Sequence, residues 1–239
     1  MALPTRPGTT SVGLGNETAN PAPIGMAALA LTLFLFSVYN LGWLDTGTSP
    51  GRSTIWVSMA VLYGGIVMFA AGMWELRDRN TIGATAFSSL GAFWVGVGIL
   101  DQSFSMSYGN LGWYFVSWMI FSVLIAIVAL RINGATAAVF ALFTLTLIFL
   151  WIGAAADQGA GHGFRIVAGI LGLVTALVAW YTTLASMLSL VWGRDLLPVF
   201  PLSSSVLDRV ETTATDLGGR MDSGFERRDR TPPPPQDVG

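Results

Sequence analysis

Asn20-Pro21-Ala22-Pro23-Ile24-Gly25 opens the stretch NPAPIGMAALALTLFLFSVYNLGWL, which runs from Asn20 to Leu44 without an aspartate, glutamate, lysine or arginine. About 20 mostly apolar helical residues cross a hydrocarbon layer roughly 30 Å thick. The run from Pro23 to Leu44 meets that length and predicts a membrane-spanning helix. The prolines suit its first turn, where a missing N–H would have had no partner. Free amides and the positive dipole end at such a start favour anions. Simple capping by Asn20 explains the same residues equally well.

Working outward, five more stretches qualify: Ile55 to Trp74, Thr81 to Leu100, Gly112 to Leu130, Ala135 to Ala156 and Phe164 to Trp192. The last is long enough to tilt or to project beyond the bilayer. The connections are short, so consecutive helices are antiparallel neighbours. The predicted class is an all-α integral membrane protein, a six-transmembrane-helix bundle over 20–198. An N-terminal tail, 1–19, and a proline-rich tail, 199–239, are expected to be disordered. The first span lacks a preceding basic region and a small-residue cleavage pattern, so it reads as a true span and not a signal peptide.

Composition agrees with this reading. Of 239 residues, 53% are hydrophobic and 11% charged, with a mean hydropathy of +0.62, whereas soluble domains carry about 25% charged residues. Ten aspartate, glutamate or arginine side chains lie between Ile24 and Gly193, against fourteen from Arg194 onward. A net charge of −2 leaves no basic stripe for nucleic acid. Zero cysteine excludes disulfides and thiol chemistry. The absence of lysine excludes a retinal Schiff base, and the single histidine excludes paired axial imidazoles. No Walker lysine, HExxH, GxSxG or buried carboxylate pair is present. Neither enzyme activity nor a cofactor or metal is expected.

Orientation follows the arginines. With both termini cytoplasmic, Arg6, Arg77, Arg79, Arg131 and Arg194 lie inside, against Arg52 and Arg165 outside, as the positive-inside rule requires. A multi-pass protein of the plasma or inner membrane is expected, with lipid as its surroundings. Trp43, Trp56, Trp74, Trp113, Trp151 and Trp192 fall near span ends, where indoles anchor at the headgroups. Asp45, Glu75, Asp78, Asp101 and Asp157 read as interfacial charges, solvated or paired with Arg52, Arg77, Arg79 or Arg165. Asp101 and Asp157 are also candidates for an outer vestibule. His162, in Gly159-Ala160-Gly161-His162-Gly163, reads as an exposed histidine in a flexible outer loop.

Polarity inside the spans is carried by neutral groups. Thr175, Thr182, Ser186 and Ser189 share one helical face. Thr81, Thr85 and Ser88 stack on the third span, Thr136 and Thr144 on the fifth, and Gly25, Leu29, Thr32, Phe36 and Asn40 on the first. Two readings remain open: pore lining by Thr32, Asn40, Thr85, Ser88, Thr144 and Thr182, or close packing, where an interhelical hydrogen bond contributes about 0.6 kcal/mol. Gly65, Gly72, Gly169 and Gly172 read as packing notches. Asn80-Thr81 opens the third span from the same side as Asn20, so two helix starts are expected to flank one mouth.

The motifs Asn20 to Gly25, Tyr63-Gly64-Gly65 through Ala71-Gly72 to Glu75, and Asn80-Thr81-Ile82-Gly83-Ala84-Thr85-Ala86-Phe87-Ser88-Ser89 ending at Gly91-Ala92-Phe93-Trp94 occur in that order. With these the sequence resembles the acetate uptake transporter family, which includes bacterial succinate–acetate permeases and yeast ammonia/acetate exporters. The resemblance implies a homo-hexameric ring of six-helix protomers, each passing acetate, related monocarboxylates or succinate. It also implies a narrow apolar constriction of Phe, Tyr and Leu, at positions corresponding to Leu29, Leu90 and Leu145. A family glutamine is replaced by Met68. Losing the tyrosine hydroxyl and this amide removes two polar contacts to a passing carboxylate. The Asn20, Pro21, Pro23, Gly25, Asn80 and Thr81 cluster marks the cytoplasmic mouth. A reading from another class is a membrane scaffold that recruits partners through Thr231-Pro232-Pro233-Pro234-Pro235.

Overall fold

The computed structural model describes residues 19–44, 54–103, 108–156 and 158–200. The tails before and after these, the polyproline run, Asp45, Arg6, Arg52 and Asp157 lie outside the described residues. Helix α1 spans Ala22–Asn40, and the second crossing is built from α2 (Thr54–Met59), a π-helical segment (Ala60–Val67) and α3 (Met68–Arg77). Then follow α4 (Thr81–Ser103), α5 (Tyr108–Ala129), α6 (Gly134–Ala155) and α7 (Gln158–Trp192). Six helical stretches are thus long and apolar enough to cross a membrane. Hydrocarbon supplies no hydrogen bonds, so each apolar run closes its backbone bonds within itself as a helix.

The crossings are arranged in chain order around a ring. Helix α1 packs on α7, α7 on α6, and α6 on α5, while the second crossing packs on both α1 and α4. The ring closes between α4 and α5, where backbone contact is slight. Side chains bridge that seam: Tyr114 donates to the Phe93 carbonyl at 2.8 Å, and Phe93 contacts Trp118.

Lipid tails are as apolar as leucine, so helices associate here through close packing and not through exclusion of water. Glycines supply the close approaches. Gly72 lies against Ser88, Gly172 against Ser37, and Gly65 against Val95. These three match their reading as notches, as does Gly169, where a Cβ would sit 2.8 Å from Leu41. The π-helical segment, invisible to hydropathy, brings Gly64 so close to Thr32 that a Cβ would lie 2.6 Å from its hydroxyl.

Two helix ends use left-handed residues. Gly42 (φ 73°) ends α1, with Trp43 N–H donating to the Val38 carbonyl at 3.1 Å. Arg79 (φ 62°) ends α3 in the same way, with Asn80 N–H donating to the Glu75 carbonyl at 2.9 Å and Arg79 N–H to Leu76 at 3.2 Å. This pair of bonds favours glycine at the left-handed position. Arg79→Gly is therefore expected to stabilise the protein by about 1 kcal/mol, the left-handed penalty of a residue with a Cβ, read as a raised thermal midpoint in detergent. An unchanged or lowered midpoint refutes this.

The expected outer loop around His162 is instead the first turns of α7, a helix of 35 residues. The reason is packing: a Cβ on Gly161 would lie 2.5 Å from the Gly153 carbonyl oxygen. The glycines are thus needed for a close α6–α7 crossing, and His162 is exposed on that helix. After α7 the chain returns to the start of α6. Gly134 N–H donates to the Phe200 carbonyl at 2.7 Å and Ala135 N–H to Val199 at 3.2 Å, while Asn133 caps through Thr136 N–H at 2.7 Å.

Candidate functional site

Helices α1 and α4, and likewise α4 and α6, do not form packed backbone pairs. Side chains that touch between them therefore cross the interior of the ring. At one end the Phe87 ring of α4 lies on Gly25 of α1, where a Cβ would fall 2.7 Å from three ring carbons. Toward the other end Phe36 of α1 meets Trp94 of α4, ring centroids 5.7 Å apart. Phe93 of α4 meets Phe143 of α6, also at 5.7 Å. The two α1–α4 contacts set a parallel register, and between them lie Leu29 and Leu90. Both belong to the buried core, at 0% and 1% exposure.

Leu145 is not with them. It is 43% exposed on the outside of the protomer, whereas Phe143 is 1% exposed and points across the ring. Two residues along a helix turn the side chain through about 200°, so Leu145 and Phe143 face opposite ways. The inner ring thus carries Leu29, Leu90 and Phe143, with Met68 also buried in the same core.

The hydroxyls are mostly spent within and between helices. Thr144 bonds Ser122 at 2.8 Å and the Phe140 carbonyl at 2.8 Å, joining α5 to α6. Thr182 donates to the Ala179 carbonyl at 2.7 Å, and the Asn40 amide donates to the Phe36 carbonyl at 2.7 Å. Thr32 is wedged against Gly64 and points at the Met59 carbonyl, 3.5 Å away. Thr85 is exposed and bonds back to the Thr81 carbonyl at 2.8 Å. Ser88 faces Gly72 at the α3–α4 seam. Thr32 and Thr144 sit as packing groups, because a hydroxyl in hydrocarbon bonds the nearest carbonyl or helix neighbour, whereas the buried Ser88 hydroxyl has no hydrogen-bond partner.

The candidate mouth comprises two helix starts. Asn20 accepts from Ala22 N–H at 2.9 Å, with Pro21 immediately before α1 and Pro23 in its first turn. Asn80 accepts from Gly83 N–H at 3.1 Å above Thr81, and its amide donates to Glu75 Oε2 at 2.6 Å. Glu75 is not the solvated interfacial acid expected from its position. It is 2% exposed, and its Oε1 has no hydrogen-bond partner. The Schellman turn at Arg79 folds Asn80 back over it, a placement that hydropathy does not report.

Sequence reasoning also missed an aromatic layer. Phe36 contacts Trp56 at 5.0 Å, and Phe93 contacts Trp94 at 4.9 Å, Trp118 at 5.4 Å and Tyr114 at 5.8 Å. Rings at such separations are in van der Waals contact, so passage through this layer requires side-chain movement. Trp43, Trp74, Trp113, Trp151 and Trp192 are exposed, in keeping with anchoring, but Trp56 is 1% exposed and belongs to the interior. The available signal was spacing: Phe36 is seven residues beyond Leu29 and Phe93 three beyond Leu90, each on the same helical face.

Residues 5–202 match the GPR1/FUN34/yaaH family. The chain is 33% identical to acetate permease A of Emericella nidulans over 87% of its own length and 75% of that protein's. It is 32% identical to the succinate-acetate/proton symporter SatP of Escherichia coli, covering 78% of this chain and 98% of the relative. Among solved structures, the bacterial acetate channel SatP superposes with a TM-score of 0.69 at 28% identity, covering 77% of this chain and 99% of that one. With six apolar crossings in the same fold and a family match over most of its length, this multi-pass membrane protein belongs to the GPR1/FUN34/yaaH family.

Proposed function

We propose that this chain is a permease for acetate and related small carboxylates such as succinate, passed along the interior of the helix ring. The observation that carries the reading is the family match over residues 5–202 together with the fold shared with the bacterial acetate channel SatP; the contacts Gly25–Phe87 and Phe36–Trp94 mark side chains that meet across the ring interior. The relatives named above, an acetate permease and a succinate-acetate/proton symporter, support the substrate class. Leu29, Leu90 and Phe143, all buried in one core cluster, are its apolar collar. A bare carboxylate is very costly to bury in such surroundings, so the acid crosses either partly hydrated or in its protonated form. A collar of this kind gates by dewetting. No chemistry is performed on the substrate.

The protomer assembles into a hexamer with both termini cytoplasmic. The apolar outer face of α5, with Ile120, Leu124 and Ile127 exposed, suits a neighbouring protomer or lipid. The arginine asymmetry supports the orientation.

Purified protein in liposomes is expected to take up radiolabelled acetate, with a rate that rises as external pH falls toward the acid's pKa. No uptake at any pH from 5 to 8, with insertion verified by protease accessibility, overturns the reading.

A further inference from the structure

The indole N–H groups of Trp56 and Trp94 are buried and have no hydrogen-bond partner. Trp56 is 1% exposed and Trp94 is 0% exposed. Leaving a buried donor unpaired costs about 1–3 kcal/mol, and buried polar atoms in folded proteins nearly always have partners. Two such orphans occur here on one small group of rings. Both indoles touch Phe36, at 5.0 and 5.7 Å, and Tyr39 stacks on Trp56 at 5.1 Å. The group lies toward the C-terminal ends of α1 and α4, past the collar of Leu29 and Leu90.

We propose that Trp56 and Trp94 form a carboxylate-binding station on the outer side of the collar. Each indole is a donor only, so each suits an acceptor such as a carboxylate oxygen and rejects a cation that brings N–H groups of its own. The faces of Phe36 and Tyr39 give the methyl or methylene part of a short acid an apolar wall. A fixed cation would hold an anion too tightly for transit, whereas two neutral donors hold it weakly and release it. The station thus replaces part of the hydration shell that an acid sheds at the collar. Close to it, the carbonyls of Phe36 and Phe93 already accept from Asn40 and Tyr114.

The assignment rests on the permease reading, and the test separates the two. The full-length protein, labelled with 15N at its tryptophan indoles, is titrated in detergent with sodium acetate, sodium chloride and ammonium chloride. The two resonances are identified by their loss in Trp56→Phe and Trp94→Phe, which keep an aromatic ring and remove the N–H. Acetate is expected to shift both, with chloride and ammonium leaving them in place. Each variant is expected to raise the half-saturation concentration for acetate uptake about tenfold, the loss fitting one hydrogen bond to a charged acceptor. Resonances that ignore acetate, or that respond equally to chloride or to ammonium, overturn the station. So does wild-type half-saturation in both variants. If a variant fails to assemble, the wild-type titration against the three salts decides alone. Failure of wild-type uptake refutes the permease reading instead, whatever the resonances do.

Discussion

Gly25→Leu is expected to reduce acetate uptake to background. Gly25 is buried in the first turns of α1, and a Cβ there would stand 2.7 Å from three atoms of the Phe87 ring, well inside van der Waals contact. Phe87 is itself buried in the core, so the ring has little room to withdraw. A leucine would push α1 away from α4 at the mouth, where Asn20 and Asn80 cap the two helix starts. Overpacking of this kind typically costs about 1–3 kcal/mol, and its functional effect is expected to be larger because the displaced ring lies at the mouth of the proposed path. Gly25→Ala should lose part of the activity. Adding Phe87→Ala to Gly25→Ala should restore more activity than either change predicts alone, since residues in contact are not additive. Liposome uptake of the two single variants and the double variant checks this. Full activity in Gly25→Leu would show that the contact is not part of the path.

The second large effect is at the collar. Leu29→Ala and Leu90→Ala are each expected to destabilise the protein by about 2–4 kcal/mol, the usual cost of truncating a buried leucine. Both should also speed flux and admit longer acids that the wild type excludes. Phe143→Ala should do the same, at somewhat greater cost in stability. Leu145→Ala should change neither by more than about 0.5 kcal/mol of stability or a factor of two in rate, because its side chain faces outward. Thermal midpoints in detergent, with uptake rates for a graded series from acetate to hexanoate, distinguish these outcomes. Equal effects at Leu145 and Phe143 would contradict the assignment of the inward face.

The contrast between Leu145 and Phe143 shows why the site was less legible than the fold. In a soluble helix the polar face marks the outside, but in a span every face is apolar. On α6 the run Phe143-Thr144-Leu145-Thr146-Leu147 has no residue that hydropathy alone would turn inward. Trp56 illustrates the same limit. Its position near a span end favoured the headgroup level, yet contacts with Phe36 and Tyr39 hold it inside. Glu75 was expected to be solvated because it ends a span, and the Schellman turn at Arg79 buried it under Asn80 instead. The glycines around His162 suggested a loop on propensity, and the close α6–α7 approach made them helical.

The number, length and helical nature of the crossings were decided by the sequence alone, because a hydrocarbon layer of fixed thickness admits only apolar runs that satisfy their own backbone hydrogen bonds. The motif at Asn20 to Gly25 likewise marked a helix start through proline geometry and capping, which are local. Which residues face the ring interior was decided only by tertiary packing: Phe143 over Leu145, Trp56 and Trp94 around Phe36, and Glu75 beneath Asn80. In lipid no difference in polarity pays for one helix rotation over another, so the fit of glycines, rings and hydroxyls between neighbouring helices makes that choice.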